Sequence, residues 1–134
     1  MSTKQIIRVR DVMEANFHTI DGMATITDAL QAMKKLGAQG LIVDKRHDDD
    51  EYGMLLVSDI ARHVLGKDRA PDRVNVYEVM AKPVITVDPE MDIRYCARLF
   101  TRFELSRAPV VENSRVVGIV SFSDLVLEGL YRHI

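Results

Sequence analysis

The sequence contains an internal repeat, which restricts the chain to folds built from two similar halves. Residues 9–13 (Val-Arg-Asp-Val-Met) recur 67 positions later as residues 76–80 (Val-Tyr-Glu-Val-Met). Residues 53–59 (Gly-Met-Leu-Leu-Val-Ser-Asp) likewise match residues 118–124 (Gly-Ile-Val-Ser-Phe-Ser-Asp), but 65 positions apart. The first half therefore has two additional residues, and its polar stretch 44–51 is where an exposed turn tolerates them. We call residues 53–59 and 118–124 the first and second junction motifs.

Each half is predicted to have the same order of elements: strand, helix, strand, strand, helix. Apolar residues at helical spacing, such as Ile26, Ala29 and Met33, predict the first helix of each half. Thr25 with Asp28 is typical of a capping box, and Asp92 is the corresponding cap in the second half. The predicted strands are residues 17–20, 40–44, 53–57, 84–87, 108–112 and 115–120, and the predicted closing helices are residues 58–65 and 123–131.

This order predicts a mixed α/β (α+β) fold of two β-α-β-β-α repeats. A half of roughly 60 residues buries too little apolar surface to be stable alone. We therefore expect two repeats related by a pseudo-twofold axis, packed sheet to sheet around a shared core, with clefts between them. The predicted bounds are residues 1–66 for the first repeat, 67–75 for a polar linker, and 76–134 for the second repeat.

The composition indicates a globular protein with no general affinity for nucleic acid or membranes. Hydrophobic residues make up 47% and charged residues 28% of the chain, and the net charge is −2. The single cysteine, Cys96, excludes an intrachain disulfide, and its helical position predicts a buried side chain. No apolar run reaches the roughly 18 residues that span a bilayer, and no signal peptide is evident. We expect a cytoplasmic protein.

The junction motifs are the best candidates for a binding site. Each places hydroxyl and carboxylate groups where a strand meets a helix, and free backbone N–H groups at a helix start favour an anionic ligand. The simpler interpretation is that Asp59 and Asp124 cap these helices, since Asp is a common capping residue. The motif alone leaves both interpretations open.

The two motifs resemble those of cystathionine-β-synthase-type (CBS) domains, which in tandem form a Bateman module. The resemblance extends over residues 9–130. The family motif is G-h-h-[ST]-x-x-D, with h apolar, and the second junction motif matches it at every position. Residues 106–110 (Ser-Arg-Ala-Pro-Val) are also similar to the family's second strand. The first half departs from the pattern, with Leu56 in place of the hydroxyl residue and Ile42 in place of Pro109.

The resemblance implies two unequal sites for an adenosine nucleotide, in which the Asp binds ribose hydroxyls and the Ser or Thr lies near phosphate. No other cofactor and no metal are expected. Arg107 is suited to bidentate binding of phosphate oxygens, although a surface role is equally compatible with its position. The predicted better site comprises Asp124, Ser121, Ser123, Arg107, Ser106, Met13, Phe17, His18 and Thr19. The predicted doubtful site comprises Asp59, Ser58, Met80, Val84, Ile85 and Thr86.

The predicted function is regulatory: binding of an AMP-, ADP- or ATP-like ligand changes how the repeats sit together, and an unknown effector protein reads that change in trans. We also expect a homodimer. The alternative is a structural dimerisation or protein-interaction module that binds no nucleotide. An enzyme is not expected, because no nucleophile–base pair, metal-ligand spacing or glycine-rich nucleotide loop is present.

Two charged features are predicted to be ordinary solvated surface. Arg94, Arg98 and Arg102 form a row on the second-half helix, but nearby acidic residues and the negative net charge argue against a nucleic-acid stripe. The acidic residues 48–51 lack the ligand spacing and central glycine of a calcium loop.

Overall fold

The structure, a computed structural model, describes residues 5–133 and contains short helices and strands in alternation. The α-helices and strands in chain order are α1 (Val9–Val12), β1 (Thr19–Ile20), α2 (Ile26–Leu36), β2 (Gly40–Val43), β3 (Gly53–Leu56), α3 (Val57–Ile60), α4 (Ile93–Phe103), β4 (Arg107–Glu112) and β5 (Arg115–Ser121). The chain also forms π-helices at Ala61–Leu65 and Asp124–Leu130, and 3-10 helices at Pro71–Arg73, Val76–Glu78 and Tyr131–His133.

The chain divides into two compact units, of which only the first is continuous in sequence. The first unit is Phe17–Val84, and the second combines the described residues 5–16 with 85–133. The opening segment of each sequence repeat thus packs with the later elements of the other repeat. Both units mix helices with small sheets, which confirms the predicted α+β class. The predicted sheet-to-sheet packing and pseudo-twofold axis stay predictions.

The first unit is built on a three-stranded sheet of order β1-β2-β3. β1 is parallel to β2 and β2 is antiparallel to β3. The predicted capping box is confirmed at the start of α2: Asp28 N donates to Thr25 Oγ1 (3.1 Å), and Thr25 N donates to Asp28 Oδ2 (3.0 Å). α2 ends at Gly37, which adopts the left-handed conformation with φ of 65°.

The core of the first unit extends into the predicted linker. Ile26 and Met33 of α2 pack with Leu41 of β2 and Leu55 of β3. Val74 is also buried in this cluster, and its carbonyl accepts a hydrogen bond from Ile26 N (2.8 Å). The end of the polar segment is therefore part of the folded unit.

The second unit is built on the antiparallel β4–β5 hairpin, which has a bulge between Val110 and Val111. The predicted strand at residues 84–87 is wrong, since only Val87 pairs, in a parallel bridge with Val110. Val87 N donates to Pro109 O (3.0 Å), and Val111 N donates to Val87 O (2.9 Å). The physical reason is Pro109, which stands where the first unit has Ile42: Ile42 N donates to His18 O (3.0 Å), but a proline has no N–H for the corresponding bond.

α4 packs the core of the second unit. Ile93, Cys96 and Phe100 are buried on its inner face with Val110 and Val120 of the hairpin. Cys96 is a free, buried thiol as predicted, and burial raises its pKa to about 11. It therefore stays a small apolar core group at neutral pH.

The closing helix of each repeat differs from the prediction in its winding. Helices are present at both predicted positions, but most of their turns are π-helical, at Ala61–Leu65 and Asp124–Leu130. A π turn accommodates an extra residue and is wider than an α turn. Close packing accompanies it in the second unit, where a Cβ atom at Gly129 would lie 2.5 Å from Cδ1 of Ile93.

We predict that Asp92 makes stability depend on pH between about 4 and about 2. Hydrogen bonds from the Arg94 side chain, and then from its backbone N–H, lower the pKa of Asp92 from 3.8 to about 2. Stability from this carboxylate is present above the unfolded-state pKa and is lost as the pH falls through the folded-state pKa. Asp92→Asn keeps a capping oxygen but should remove this dependence, at a cost of at most about 1 kcal/mol near neutral pH.

Urea unfolding at pH 6, 4 and 2.5 measures the effect. Asp72→Asn is the control, because its carboxylate is exposed and has no hydrogen bond with residues 5–133. An unchanged pH profile in Asp92→Asn would contradict the prediction.

Candidate functional site

The second junction motif forms a reciprocal hydrogen-bonded box at the end of β5. The Ser121 backbone N–H donates to Asp124 Oδ2 (2.9 Å), and the Asp124 backbone N–H donates to Ser121 Oγ (3.2 Å). The interpretation of Asp124 as the helix N-cap is therefore wrong: Ser121 is the cap, and Asp124 is the third residue after it, whose carboxylate accepts the N–H of the cap. Asp124 is 8% exposed. The box fixes the carboxylate in one orientation where the strand ends and the helix begins.

The Asp124 carboxylate keeps one oxygen available. Oδ2 accepts the bond from Ser121, whereas Oδ1 accepts no hydrogen bond from any residue between 5 and 133. Oδ1 is nevertheless not sealed from solvent, because no fully buried polar side-chain atom of the described chain lacks a partner. A carboxylate oxygen has two acceptor positions, so Oδ1 can accept bonds from ligand hydroxyls.

The predicted phosphate-binding residues lie beside this box. Arg107 at the start of β4 is the cross-strand partner of Ser121, and it is half-buried. Its guanidinium forms no ion pair with any other described residue. Ser106 accepts a hydrogen bond from Phe122 N at its carbonyl (3.1 Å), and Ser123 is exposed on the first turn of the helix. The paired strand ends therefore place Arg107, which has no ion pair among the described residues, next to the Ser121–Asp124 box.

Met13 contacts the motif through its glycine. Glu14 N donates to Ile119 O (2.8 Å), and Ile119 N donates to Glu14 O (3.0 Å), so the opening segment lies against β5. A Cβ atom at Gly118 would lie 2.7 Å from Sδ of Met13 and 2.9 Å from the carbonyl oxygen of Glu14. The motif glycine is thus required for close packing of the opening segment.

The first junction motif forms only half of the same box. Leu56 N donates to Asp59 Oδ2 (2.9 Å), but Leu56 has no hydroxyl to accept the return bond. The Arg62 guanidinium lies 3.9 Å from Asp59 Oδ1, the oxygen that corresponds to the available one in Asp124. Ser58 is exposed beside it. Both differences make the first motif the poorer acceptor site.

The remaining predicted residues belong to both units. Phe17, His18 and Thr19 lie in the first unit, and the His18 carbonyl accepts a hydrogen bond from Ile42 N (3.0 Å) at the start of β1. Met80 contacts Gly53 in the first unit as Met13 contacts Gly118 in the second.

The other members of the doubtful site are divided between the units. Val84 ends the first unit, whereas Ile85 and Thr86 belong to the second. How these wall residues of one unit face the motif of the other stays a prediction.

Sequence reasoning missed a pocket of about 320 Å³ in the first unit. Its walls come from three segments that are distant in sequence, after β1, after β2 and around Tyr77. No local pattern marks such a site, since only the folded unit brings the segments together.

Residues 5–133 contain no cluster of three or more His, Cys, Asp or Glu side chains placed to bind a metal ion. Within the same range no helix has the length and apolar character needed to cross a bilayer.

Comparison with known proteins places both halves in one family. The family model of the CBS domain matches residues 9–66 and 76–130. An uncharacterised protein of Methanopyrus kandleri is 26% identical over 121 residues, which cover 90% of this chain and 61% of that protein. The CBS domain-containing protein YhcV of Bacillus subtilis is 28% identical over 122 residues, covering 91% of this chain and 85% of the relative.

A solved structure is also similar over nearly the whole chain. The hexameric CBS-CP12 protein from bloom-forming cyanobacteria is 38% identical and superposes with a TM-score of 0.91. The match covers 96% of this chain and 74% of the cyanobacterial one. This chain therefore corresponds to about three quarters of that protein.

We predict that adding a methyl group at the motif glycines lowers the free energy of unfolding, by an amount that depends on the nearest backbone contact. Gly118→Ala should destabilise by about 1–3 kcal/mol, because the backbone oxygen of Glu14 cannot move aside as a side chain can. Gly53→Ala should cost less, since its nearest backbone atom, Ala81 O, is 3.2 Å away. Gly22→Ala is the control, with its nearest contact at 3.5 Å. Urea unfolding measures all three, and equal stability of the Gly118 and Gly22 variants would contradict this account.

Proposed function

The chain belongs to the CBS-domain family, and we propose that it is a regulatory module that binds an adenosine nucleotide at its second junction motif. CBS pairs are generally regulatory or ligand-binding modules. The observation that carries the proposal is the arrangement of three groups: a carboxylate fixed through one oxygen, a hydroxyl at its side, and an unpaired guanidinium on the adjacent strand. These are Asp124, Ser121 and Arg107.

The three groups match the polar parts of a nucleotide. A ribose has two vicinal hydroxyls, and the available Oδ1 of Asp124 accepts a charge-assisted hydrogen bond from them. The Arg107 guanidinium and the hydroxyls of Ser121 and Ser123 are donors for phosphate oxygens. Because Arg107 has no carboxylate partner among the described residues, binding phosphate breaks no existing ion pair.

The two motifs should differ in affinity. At the first motif the serine hydroxyl is replaced by Leu56, and Arg62 already approaches the corresponding oxygen of Asp59. A ribose binding there would compete with Arg62 and would lack the motif hydroxyl. We therefore propose one strong site and one weak or unused site.

Regulation requires that the ligand bind two conformations unequally. We propose that nucleotide binding shifts the equilibrium between two arrangements of the repeats, and that a separate effector protein recognises one of them. The sign of the regulation depends on which arrangement the effector prefers.

We predict that Asp124→Asn weakens nucleotide binding about 10- to 100-fold, the range expected for one hydrogen bond to a charged group. Asn keeps an oxygen that can accept the Ser121 N–H, so the box and the fold should persist. Asp59→Asn is the matched control and should leave the tighter binding step nearly unchanged. Isothermal titration with AMP, ADP, ATP and NAD measures binding, and thermal unfolding checks the fold.

Two outcomes would contradict the proposal. Unchanged affinity in Asp124→Asn would refute the site assignment. Absence of binding heat for wild-type protein at high micromolar concentrations of all four nucleotides would refute the nucleotide-binding function itself. That second result would favour the alternative below.

The alternative function is a protein-interaction module that acts by self-association. One observation favours it: the last helical segment of the second unit presents large apolar side chains to solvent, with Leu127 57%, Leu130 63% and Tyr131 66% exposed. Clustered apolar groups of this kind mark interaction surfaces. The cyanobacterial relative forms hexamers. Self-association, for which a homodimer is the simplest form, is compatible with nucleotide binding as well.

We predict that Leu130→Glu reduces the mass measured by size-exclusion chromatography with light scattering. A charge in an apolar interface is costly unless it is paired. Leu36→Glu is the control, since Leu36 is 44% exposed on α2 in the first unit. If wild-type protein is monomeric, or if both variants behave alike, this surface is not the self-association site.

A further inference from the structure

The pocket in the first unit has properties that the junction motifs do not explain. It is about 320 Å³ in volume, which is at the lower end of the range for small-molecule sites. Backbone hydrogen bonds hold its walls, since Tyr77 N donates to Gly22 O (2.9 Å) and Asp44 N donates to Ile20 O (3.1 Å). The cavity is therefore part of the folded unit.

The pocket is separate from the carboxylate end of the first junction motif. Val43, which lines it, pairs with Gly53, whereas Gly40 at the other end of β2 pairs with Leu56, just before the motif helix. Three residues of β-strand span roughly 10 Å. Asp59 does not line the pocket. A ligand in this cavity would thus bind at the opposite end of the hairpin from the motif carboxylate.

The basic groups at the pocket are already neutralised in part. Lys82 Nζ lies 2.8 Å from Asp50 Oδ2, and the backbone N–H of Arg46 donates to the same oxygen (2.8 Å). The Arg46 guanidinium lies 3.6 Å from it. The Lys82 ammonium, and then the Arg46 N–H, hold the pKa of Asp50 well below its usual range. Asp50 is therefore a permanent anion that engages both cations.

The acidic groups at the pocket are not neutralised. Asp21 accepts the Met23 N–H through Oδ1 (2.8 Å), and its side chain has no cationic partner within residues 5–133. Asp44 is exposed, and its carboxylate accepts no hydrogen bond from the described chain. Two carboxylates thus stand at a cavity whose lining, apart from Arg46 and Lys82, is otherwise apolar. The apolar part includes the Met23 and Met80 thioethers and the Tyr77 ring, which is 51% exposed.

The second unit shows what can occupy this position. By the repeat offset of 67 residues, Tyr77 corresponds to Arg10 and Met23 to Glu90. Arg10 Nη2 lies 2.7 Å from Glu112 Oε2, and its Nε donates to Glu90 Oε1 (2.8 Å). The second unit therefore places its own guanidinium between two carboxylates. At the same offset the first unit has Tyr77 in place of the arginine, and Met23 and Lys45 in place of Glu90 and Glu112. Its own carboxylates at the pocket, Asp21 and Asp44, form no ion pair with the described residues.

We propose that the first-unit pocket binds a small organic cation, with an ammonium or guanidinium group on an apolar body, in the place of the missing arginine. The cationic group pairs with Asp44 and Asp21, and the apolar body contacts Met23, Met80 and the Tyr77 ring. An aromatic ring gains from contact with thioethers, and a cation gains from the Tyr77 face. This site is independent of the nucleotide proposed above.

Phenethylamine is a suitable probe because it joins an ammonium to an aromatic ring. In amide NMR spectra of 15N-labelled protein, we expect saturable shifts at residues 21–23, 44 and 77, with no shifts of the second junction motif. The neutral isostere 2-phenylethanol should bind at least about threefold more weakly, since it lacks the charge-assisted bond.

Three variants test the assignment. Asp44→Asn should weaken phenethylamine binding about three- to tenfold, whereas Asp48→Asn, an exposed acid on the same loop outside the pocket, should not change it. Tyr77→Arg should abolish binding, because it restores a tethered guanidinium at the site. Native-like spectra of all variants confirm the fold. The proposal would be overturned if no saturable shifts appeared at phenethylamine concentrations up to about 10 mM. Equal affinity of the Asp44 and Asp48 variants would overturn it as well.

Discussion

The contact on which both units depend is the packing of a methionine against a motif glycine. Met13 lies on Gly118 and Met80 lies on Gly53, each with a pair of backbone hydrogen bonds between the opening segment and the adjoining strand. This contact attaches the opening segment to the hairpin that ends in the motif carboxylate. The stretches that the two repeats share most clearly are thus in contact with each other. Residues 9–13 lead into the contact with the second junction motif, and residues 76–80 into the contact with the first.

The sequence predicted features that depend on short-range hydrogen bonds and apolar spacing. The Thr25–Asp28 box, the Asp92 cap and the buried position of Cys96 are all confirmed, because each follows from residues within one turn or one helix face. The second junction motif was also identified from sequence. Its detailed geometry was not, because whether Asp124 caps the helix itself or returns to Ser121 depends on the backbone path.

The errors have a common origin in interactions between segments. The strand predicted at residues 84–87 shortens to Val87 because Pro109 in its partner strand has no N–H to donate. The closing helices are π-helical, with Gly129 packed tightly on Ile93 in the second. The acidic residues 48–51 were predicted to be a solvated tip. The Asp50 side chain is nevertheless only 10% exposed, and it forms an ion pair with Lys82. Such features arise when distant residues meet, and apolar periodicity carries no information about them.

The exchange of opening segments has a consequence for the order in which the chain becomes folded during synthesis. The first unit needs only residues 17–84, so all of its residues are made before α4, β4 and β5. The second unit needs residues 5–16, which are made before the first unit, together with β5 and the closing helix, which are made after it. Val9 and Val12 must therefore keep their apolar side chains unpartnered until the hairpin 107–121 is available. Closing this long loop makes the second unit the slower of the two to form.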